Sequence, residues 1–481
     1  PLPLDVWTER LSELPDATGL APAVVYKGDE SGAEFVLATG QRYSLPWENG
    51  LDGIRPYLSE NRRGGAYRSP QEFLKVGDLI RVARDEEDGW RLTQVPDAQA
   101  ALVSLNPGNG AILSLVGGSD YEVSKFNRAT QAQRQPGSNM KPFLYAAALD
   151  AGRTAATIIN DAPLIIEDRS LEGVWRPEND SGEFYGPTRL RWALTKSRNL
   201  VSIRLLQDIG IATFIDYATR LGFDTSDFAA DLSLALGTHA MAPLEVAGAY
   251  AILANGGYRV EPYLIQRIDN LVGETVFEAN PALAGGEPMP GDDLEIIETP
   301  GSELSMEEIL TRDEQPLQYA ERVMDERVSF IIDSILKDVI RRGTGRKALV
   351  LDRDDIAGKT GTTNSPMDAW FSGYNGSVVT TTWVGFDGYT PLGRREFGGT
   401  AALPIWIDFM REALAGTPST SRSQPPGISY LRIDPETGLL ADSEQRNAIF
   451  EYFRTEFLPE STEEIAGKSP GGSDTLIQDI F

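Results

Sequence analysis

Between Ala101 and Leu414 the chain runs two strands, many helices, three strands and one helix, and that order leaves few ways to build a core. Ala101–Leu105 and Ala111–Val116 are apolar, strand-like runs joined by Asn106-Pro107-Gly108-Asn109-Gly110, a strong turn signal. Strand character returns at Ile356–Thr363, Trp370–Tyr374 and Val378–Val384. Asn375-Gly376 joins the last two, the dipeptide best suited to a tight hairpin. Helical patterning fills residues 188–255, where a helix beginning near Pro243 stops at Asn255-Gly256-Gly257. It resumes from Ala320 to Arg342 and again from Pro404 to Leu414. Strands so far apart in sequence must meet in one layer to bury their apolar faces. The pattern predicts an α+β fold with one antiparallel five-stranded sheet, flanking helices and an all-helical subdomain.

A chain of 481 residues is too long for one core. Residues 1–19 read as a linker. From 20 to 96 come about five short strands, near Ala23, Glu34, Gln41, Val76 and Trp90, which suggest a small N-terminal OB-like β-barrel. Such barrels commonly take an oligonucleotide or oligosaccharide, but a spacer or docking module is the favoured reading. The sheet-and-helix domain is expected over 97–420. Within it, 279–317 is rich in Pro, Gly, Asp and Glu and reads as a solvated insertion with at most a short helix near Met306. Residues 421–481 form a C-terminal extension, with a hairpin expected at Ile428–Leu440 and disorder from Gly467 onward. No run approaches 18 apolar residues, so no membrane span is expected. The chain begins at Pro1 without a signal peptide and reads as a fragment or processed chain.

Charge and rare residues narrow the chemistry. A formal net charge of −27 argues against nucleic acid, whose phosphates need a basic footprint, and against adsorption to anionic lipid. Cysteine is absent, which removes a thiol nucleophile and any Cys-type zinc site. His239 is the only histidine and reads as structural or surface, so a serine nucleophile here would need another base.

Ser138-Asn139-Met140-Lys141 supplies one. Pro136-Gly137 signals a turn, and Phe143–Leu149 continues as a helix, so residues 138 and 141 share a face one turn apart. A serine hydroxyl is a weak nucleophile until a neighbour takes its proton. Lysine serves only if burial or nearby positive charge keeps its amine neutral. Alone this spacing is common. It is followed, however, by Ser197-Arg198-Asn199 ahead of a helix and by Lys359-Thr360-Gly361-Thr362 on a predicted strand. Ser-x-x-Lys, Ser-x-Asn and Lys-Thr-Gly in that order are the joint signature of penicillin-binding proteins and class A β-lactamases.

Each element has a job. Ser138 sits at the positive end of a helix dipole. Ser197 can pass a proton between Lys141 and a leaving amine, and Asn199 can hydrogen-bond a substrate amide and help hold Lys141. Lys359 places a second ammonium in the site, attracts a substrate carboxylate, and by like-charge repulsion helps keep Lys141 neutral. Thr360 and Thr362 can bind that carboxylate, with Thr363 beside them, and Gly361 lets substrate backbone lie against the strand. The backbone N–H groups of Ser138 and Thr362 are the natural pair for an oxyanion hole. No metal or cofactor is called for. Gly343-Thr344-Gly345-Arg346-Lys347-Ala348 imitates a dinucleotide glycine pattern but follows a helix rather than a strand, and reads as a plain loop.

Longer stretches carry a family resemblance. Phe126–Ala132, Arg134–Ser138, Gly358–Asn364 and Asp368–Tyr374 resemble class A, bifunctional penicillin-binding proteins of the proteobacterial 1A type, over roughly residues 16–458. The resemblance implies the penicillin-binding/serine β-lactamase-like transpeptidase fold. It implies D,D-transpeptidation in the periplasm: Ser138 takes the acyl group of a peptidoglycan stem peptide, an amine of a neighbouring stem accepts it, and β-lactams acylate the same serine. It further implies an OB-like domain for which a docking role toward an outer-membrane lipoprotein activator has been proposed. Upstream it implies an inner-membrane anchor and a glycosyltransferase domain that this chain does not include. Two other readings share the motifs. A serine β-lactamase would need a water-activating glutamate, and none is convincing between Asn199 and Lys359. A penicillin-binding sensor or inactive scaffold would need a signalling segment or a broken site.

Overall fold

The computed structural model describes residues 3–16, 19–84, 89–168, 173–285, 316–363 and 365–461. The segment read as a linker carries a helix, α1 (Leu4–Ser12), whose Trp7 and Leu11 bury against Val24 and Val36. Five antiparallel strands follow: β1 (Ala21–Asp29), β2 (Gly32–Leu37), β3 (Arg42–Pro46), β4 (Leu79–Arg84) and β5 (Trp90–Thr93), in the spatial order β3-β2-β1-β4-β5. Val25, Phe35 and Val82 are fully buried inside the curl of this sheet. Its two edges meet through side chains, with the Tyr43 and Trp90 rings 5.2 Å apart. The OB-like unit also touches the larger domain, where Asn61 Oδ1 accepts the Arg394 N–H at 2.6 Å.

The second sheet takes its strands from both ends of its domain, as the strand order requires. β6 (Gln99–Leu105) and β7 (Ile112–Val116) join β8 (Ala357–Thr362), β9 (Asp368–Tyr374) and β10 (Val379–Gly385) in the order β8-β9-β10-β6-β7, antiparallel throughout. Side chains alternate between its faces with the period of two that a strand imposes. Trp370 joins the core under the long helices, and Phe371 faces the opposite way. α2 (Lys141–Asp150) is buried from Lys141 to Leu149, which its near-uniform apolarity allows. It packs with α3 (Leu190–Lys196), α4 (Asn199–Ile209), α5 (Ile211–Arg220), α6 (Pro243–Ala254) and α7 (Glu326–Arg342) in the main core. α8 (Leu403–Ala413) covers the other face, its Trp406 ring edge-on to Phe371 at 4.9 Å.

Two boundaries differ from the sequence expectation. α7 begins at Glu326 rather than Ala320, because Val323 and Met324 N–H groups pair with Gly257 O and Asp325 caps the helix by accepting from Arg327 N at 2.8 Å. The C-terminal strand β11 (Ile428–Ile433) does turn back to an antiparallel bridge between Ile433 and Leu440, but along its length it pairs with β12 (Ile449–Arg454). What fixes that partner is a buried charge cluster. Glu451 on β12 accepts from Arg191 Nη2 at 2.6 Å, and Arg191 Nη1 also donates to Asp338 at 3.0 Å. The helix expected near Met306 and the tail from Gly467 lie outside the described residues.

Removing one partner of such a buried pair leaves an uncompensated charge. Glu451→Ala is expected to cost about 3–5 kcal/mol and to raise hydrogen exchange across β11 and β12. Urea unfolding followed by exchange mass spectrometry measures both, and a cost under about 1 kcal/mol would mean that Asp338 suffices for Arg191.

Candidate active site

Ser138 lies in a tight 3₁₀ turn, Gly137–Met140, that runs without a break into α2. Gly137 has φ +57°, and a β-carbon there would stand 2.6 Å from Thr362 O. Its N–H donates to Gly237 O at 3.1 Å, so the turn is wedged between β8 and the 237 loop. Gly361 is needed for a related reason. A β-carbon on it would fall 2.4 Å from Pro136 O, so the space it frees is filled by the serine turn itself. Deeper supports hold the flanking residues. Arg134 Nε pairs with Asp368 Oδ1 at 2.6 Å, both buried, and Trp370 Nε1 donates to Gln135 O at 2.9 Å. Asn139 Nδ2 donates to Ser372 Oγ at 3.2 Å, while its carbonyl accepts from Tyr250 OH at 2.9 Å.

Two lysines converge behind the serine, and both are fully buried. Lys141 Nζ donates to Asn199 Oδ1 at 2.6 Å, to Ser197 O at 2.8 Å and, at 3.4 Å, to Ser197 Oγ. Lys359 Nζ donates to Ser197 Oγ and to Thr360 O, each at 2.9 Å. Ser197 therefore stands between the two amines. Among the described residues no hydrogen bond joins Lys141 Nζ to Ser138 Oγ; the amine's partners are Ser197 and Asn199. Asn199 is itself fixed, its Nδ2 donating to Glu178 O at 2.9 Å and Asp180 Oδ1 at 3.1 Å, its N–H to Asn179 Oδ1 at 2.8 Å.

Burial drives the electrostatics. Loss of solvation brings Lys141 down to about 8, with Asp180 and Asp161 opposing and Arg198 pushing the same way. Lys359 is held well below the usual lysine range, first by burial and then by repulsion from Lys141. The repulsion expected to act on Lys141 thus bears chiefly on Lys359, and burial does the work at Lys141.

In front lies a cleft of about 490 Å³ bordered by Ser138, Ser197, Thr360 and Thr362. Thr360 and Thr362 share one face of β8, and Lys359 and Gly361 the other, as alternation requires. Thr360 Oγ1 shares a 2.7 Å hydrogen bond with Thr344 Oγ1, and Thr362 Oγ1 accepts the Gly398 N–H at 3.1 Å. Thr363 borders a smaller adjoining cavity with Ser138, Asp180 and Asn199, and its hydroxyl oxygen accepts from Met367 N and Asp368 N. All nine residues named from sequence gather here. His239 does not: its ring lies tilted against Phe228, ring centroids 4.4 Å apart, beside a separate cavity. The sequence reading missed Glu178–Asp180, Thr344 and Asn139. Thr344 carried a signal, since its Gly343–Ala348 loop stood out, but for the wrong chemistry.

Comparison with known proteins agrees with this architecture. The penicillin binding protein transpeptidase domain family matches residues 100–392, and the penicillin-binding protein OB-like domain family matches residues 3–98. Penicillin-binding protein 1A of Pseudomonas aeruginosa is 46% identical over 482 residues, which cover 97% of this chain and 58% of that protein. The crystal structure of penicillin-binding protein 1A from Haemophilus influenzae superposes with a TM-score of 0.82 at 37% identity, over 96% of this chain and 66% of that one. PonA1 from Mycobacterium tuberculosis, solved in complex with penicillin V, gives a TM-score of 0.55 at 26% identity, over 69% of this chain and 82% of that one.

The lowered Lys141 value has a consequence for stability. Between about 8 and its model-peptide value of 10.5 the folded state binds fewer protons at this site than the unfolded chain, so unfolding free energy rises with pH across that window. Relative to Lys141→Met, the wild-type protein is expected to gain about 3 kcal/mol from pH 8 to 10.5. Paired denaturation curves over this range check it, and parallel pH profiles would show that Lys141 titrates normally.

Proposed function

The chain belongs to the penicillin-binding protein transpeptidase family, and from that membership we propose that it is a serine D,D-transpeptidase acting on peptidoglycan stem peptides. The observation that carries the reading is the convergence of the Lys141 and Lys359 amines on the hydroxyl of Ser197, which borders the same cleft as Ser138.

In the reaction, neutral Lys141 takes the Ser138 proton as Oγ attacks the carbonyl carbon of the penultimate D-alanine. The oxyanion that forms is held by the backbone N–H groups of Ser138 and Thr362, a pairing supported by the close approach of the Gly137 turn to the Thr362 backbone. The C–N bond then breaks. The departing D-alanine amine takes a proton through Ser197, which Lys141 or Lys359 replenishes. An amine from a second stem peptide attacks the ester, its proton returns along the same route, and Ser138 leaves as the hydroxyl. Thr360, Thr362 and Thr363 receive the terminal carboxylate. A carboxylate arriving beside Lys359 favours that lysine's charged form, so substrate binding draws a proton onto it. Asn199 aligns the substrate amide. A β-lactam follows the first half of this route, but its leaving nitrogen stays tethered, and the ester persists.

The division into an N-terminal docking unit (20–96), a catalytic domain (97–420) and a C-terminal extension (421–481) belongs to this proposal. So does a periplasmic location, with an inner-membrane anchor and a lipoprotein activator at the OB-like unit. The chain spans 58% of the Pseudomonas relative, and no helix among the described residues is long and apolar enough to cross a membrane.

Intact-protein mass spectrometry after penicillin treatment is expected to show one stable adduct on Ser138, absent in Ser138→Ala. Lys141→Ala is expected to slow acylation about 10²–10⁴-fold. The wild-type rate should climb with pH through about 8 and level off above it, as Lys141 loses its proton. Rapid loss of the adduct would instead mean a β-lactamase, and near-wild-type acylation by Lys141→Ala would remove that lysine as the base.

A further inference from the structure

The chain is strongly acidic, with 71 acidic against 44 basic residues, yet the wall of the Ser138 cleft inverts that balance. Among the described residues Lys196, Arg198, Arg346 and Lys347 border it, opposed by a single carboxylate, Asp180. These cations come from two separate segments. Lys196 and Arg198 flank Ser197 at the end of α3, and Arg346 and Lys347 open a short 3₁₀ helix after α7, Arg346–Leu351, where a plain loop was expected from the glycine pattern.

The cluster is poorly neutralised. Arg346 and Lys347 are exposed and make no ion pair or hydrogen bond among the described residues. Lys196 Nζ donates only to a backbone carbonyl, Arg342 O at 2.6 Å. Arg198 lies over the Tyr185 ring at 3.4 Å, and the nearest carboxylate oxygen, on Asp161, is 3.9 Å from its Nε. That Nε is buried and finds no hydrogen-bond partner. The cations feel one another: Lys196 is lowered by burial and then by Arg198, Arg346 and Arg342. Like charges gathered with so little carboxylate beside them are a net cost to the empty fold. Position adds the second part of the argument. Lys359, the cation expected to attract the substrate carboxylate, is fully buried with its amine on Ser197 and Thr360. It is therefore not the charge that an approaching anion meets first.

Building on the transpeptidase reading, we propose that Lys196, Arg198, Arg346 and Lys347 form an anion-recruiting wall. It draws carboxylate-bearing donor peptides, and carboxylate-bearing β-lactams, into the Ser138 cleft against the repulsion of the chain's net negative charge. A cleft lined by one sign of charge focuses the field and raises encounter rates with the opposite sign, and salt weakens the effect. The wall selects substrates by charge before Thr360 and Thr362 bind the carboxylate directly. Arg346 and Lys347 act on capture and do not touch the reacting atoms.

The test compares second-order rates of Ser138 acylation by benzylpenicillin, an anion, and by its uncharged methyl ester, at low and high salt. The double variant Arg346→Gln/Lys347→Gln is expected to react roughly 5–10-fold more slowly with the anion at low ionic strength, the gap closing above about 0.5 M salt. Rates with the ester should stay within about twofold of wild type, and the swap Arg346→Lys/Lys347→Arg should restore the anion rate. An equal loss with both compounds, a salt-independent loss or no loss overturns the recruiting role. In each of those cases Ser138 still acylates and the transpeptidase reading stands. Failure of the wild-type protein to acylate with either compound would overturn that reading, and this inference with it.

Discussion

Two buried amines share one hydroxyl. Lys141 and Lys359 both donate to Ser197 Oγ, and both are out of contact with water. Holding two ammonium ions so close in a poorly solvated pocket is expensive, because hydration is lost and, among the described residues, Asp180 and Asp161 act only from beyond ion-pair distance. The pocket therefore favours states with fewer than two protons on the pair. In the proposed reaction that constraint is what would let lysine act as a base in a chain with one histidine, and Ser197, bonded to both amines, is the group placed to relay the proton. The rest of the domain serves to keep these three groups from relaxing apart.

The fold does this by bringing together segments that are remote in sequence. The serine turn enters from the start of α2, Ser197 and Asn199 from the junction of α3 and α4, and Lys359 from the edge strand β8. An edge strand suits this purpose, since its outer backbone groups are not used by a sheet neighbour. Gly137 and Gly361 let the turn and the strand approach within backbone contact, and the Arg134–Asp368 pair pins the turn to the next strand of the sheet. Asp368 also accepts from Trp383 Nε1 at 2.8 Å, which carries the anchorage to β10. The candidate site residues are thus set by helix starts, a helix junction and an edge strand that the sheet holds together.

Much of this was legible in the sequence, for physical reasons. Asn375-Gly376 and the alternating strands announced the sheet because a hairpin turn and a pleated surface accept few residues. The three motifs were legible because the chemistry demands particular side chains in a fixed order. What stayed hidden depends on distant partners. β12 is chosen over the nearer segment by Glu451 and Arg191, 260 positions apart. A further need for Gly361 stayed hidden because the atom it makes room for, Pro136 O, lies more than 200 positions away. Glu178–Asp180 carries no local pattern, and only its contacts with Asn199 reveal it. α1 was invisible because a nine-residue helix with two buried side chains has little periodicity to show.

Ser197 shows how far the site is held against local preference. It caps α3 in the left-handed conformation, with φ +59°. Helices ending in this way usually place glycine there, and a residue with a β-carbon costs on the order of 1 kcal/mol. The serine persists where glycine would be easier, and strain of this kind is tolerated when the surroundings overdetermine it. Here they do. Ser197 N and Arg198 N bond back to Leu194 O and Ala193 O, the carbonyl of Ser197 accepts from Lys141, and its hydroxyl meets both amines. The left-handed turn is what points carbonyl and hydroxyl toward the same lysine. The easier glycine cap is forgone and the helix is still capped, so the conformation of the chain at Ser197 is as much a part of the candidate site as the hydroxyl it carries.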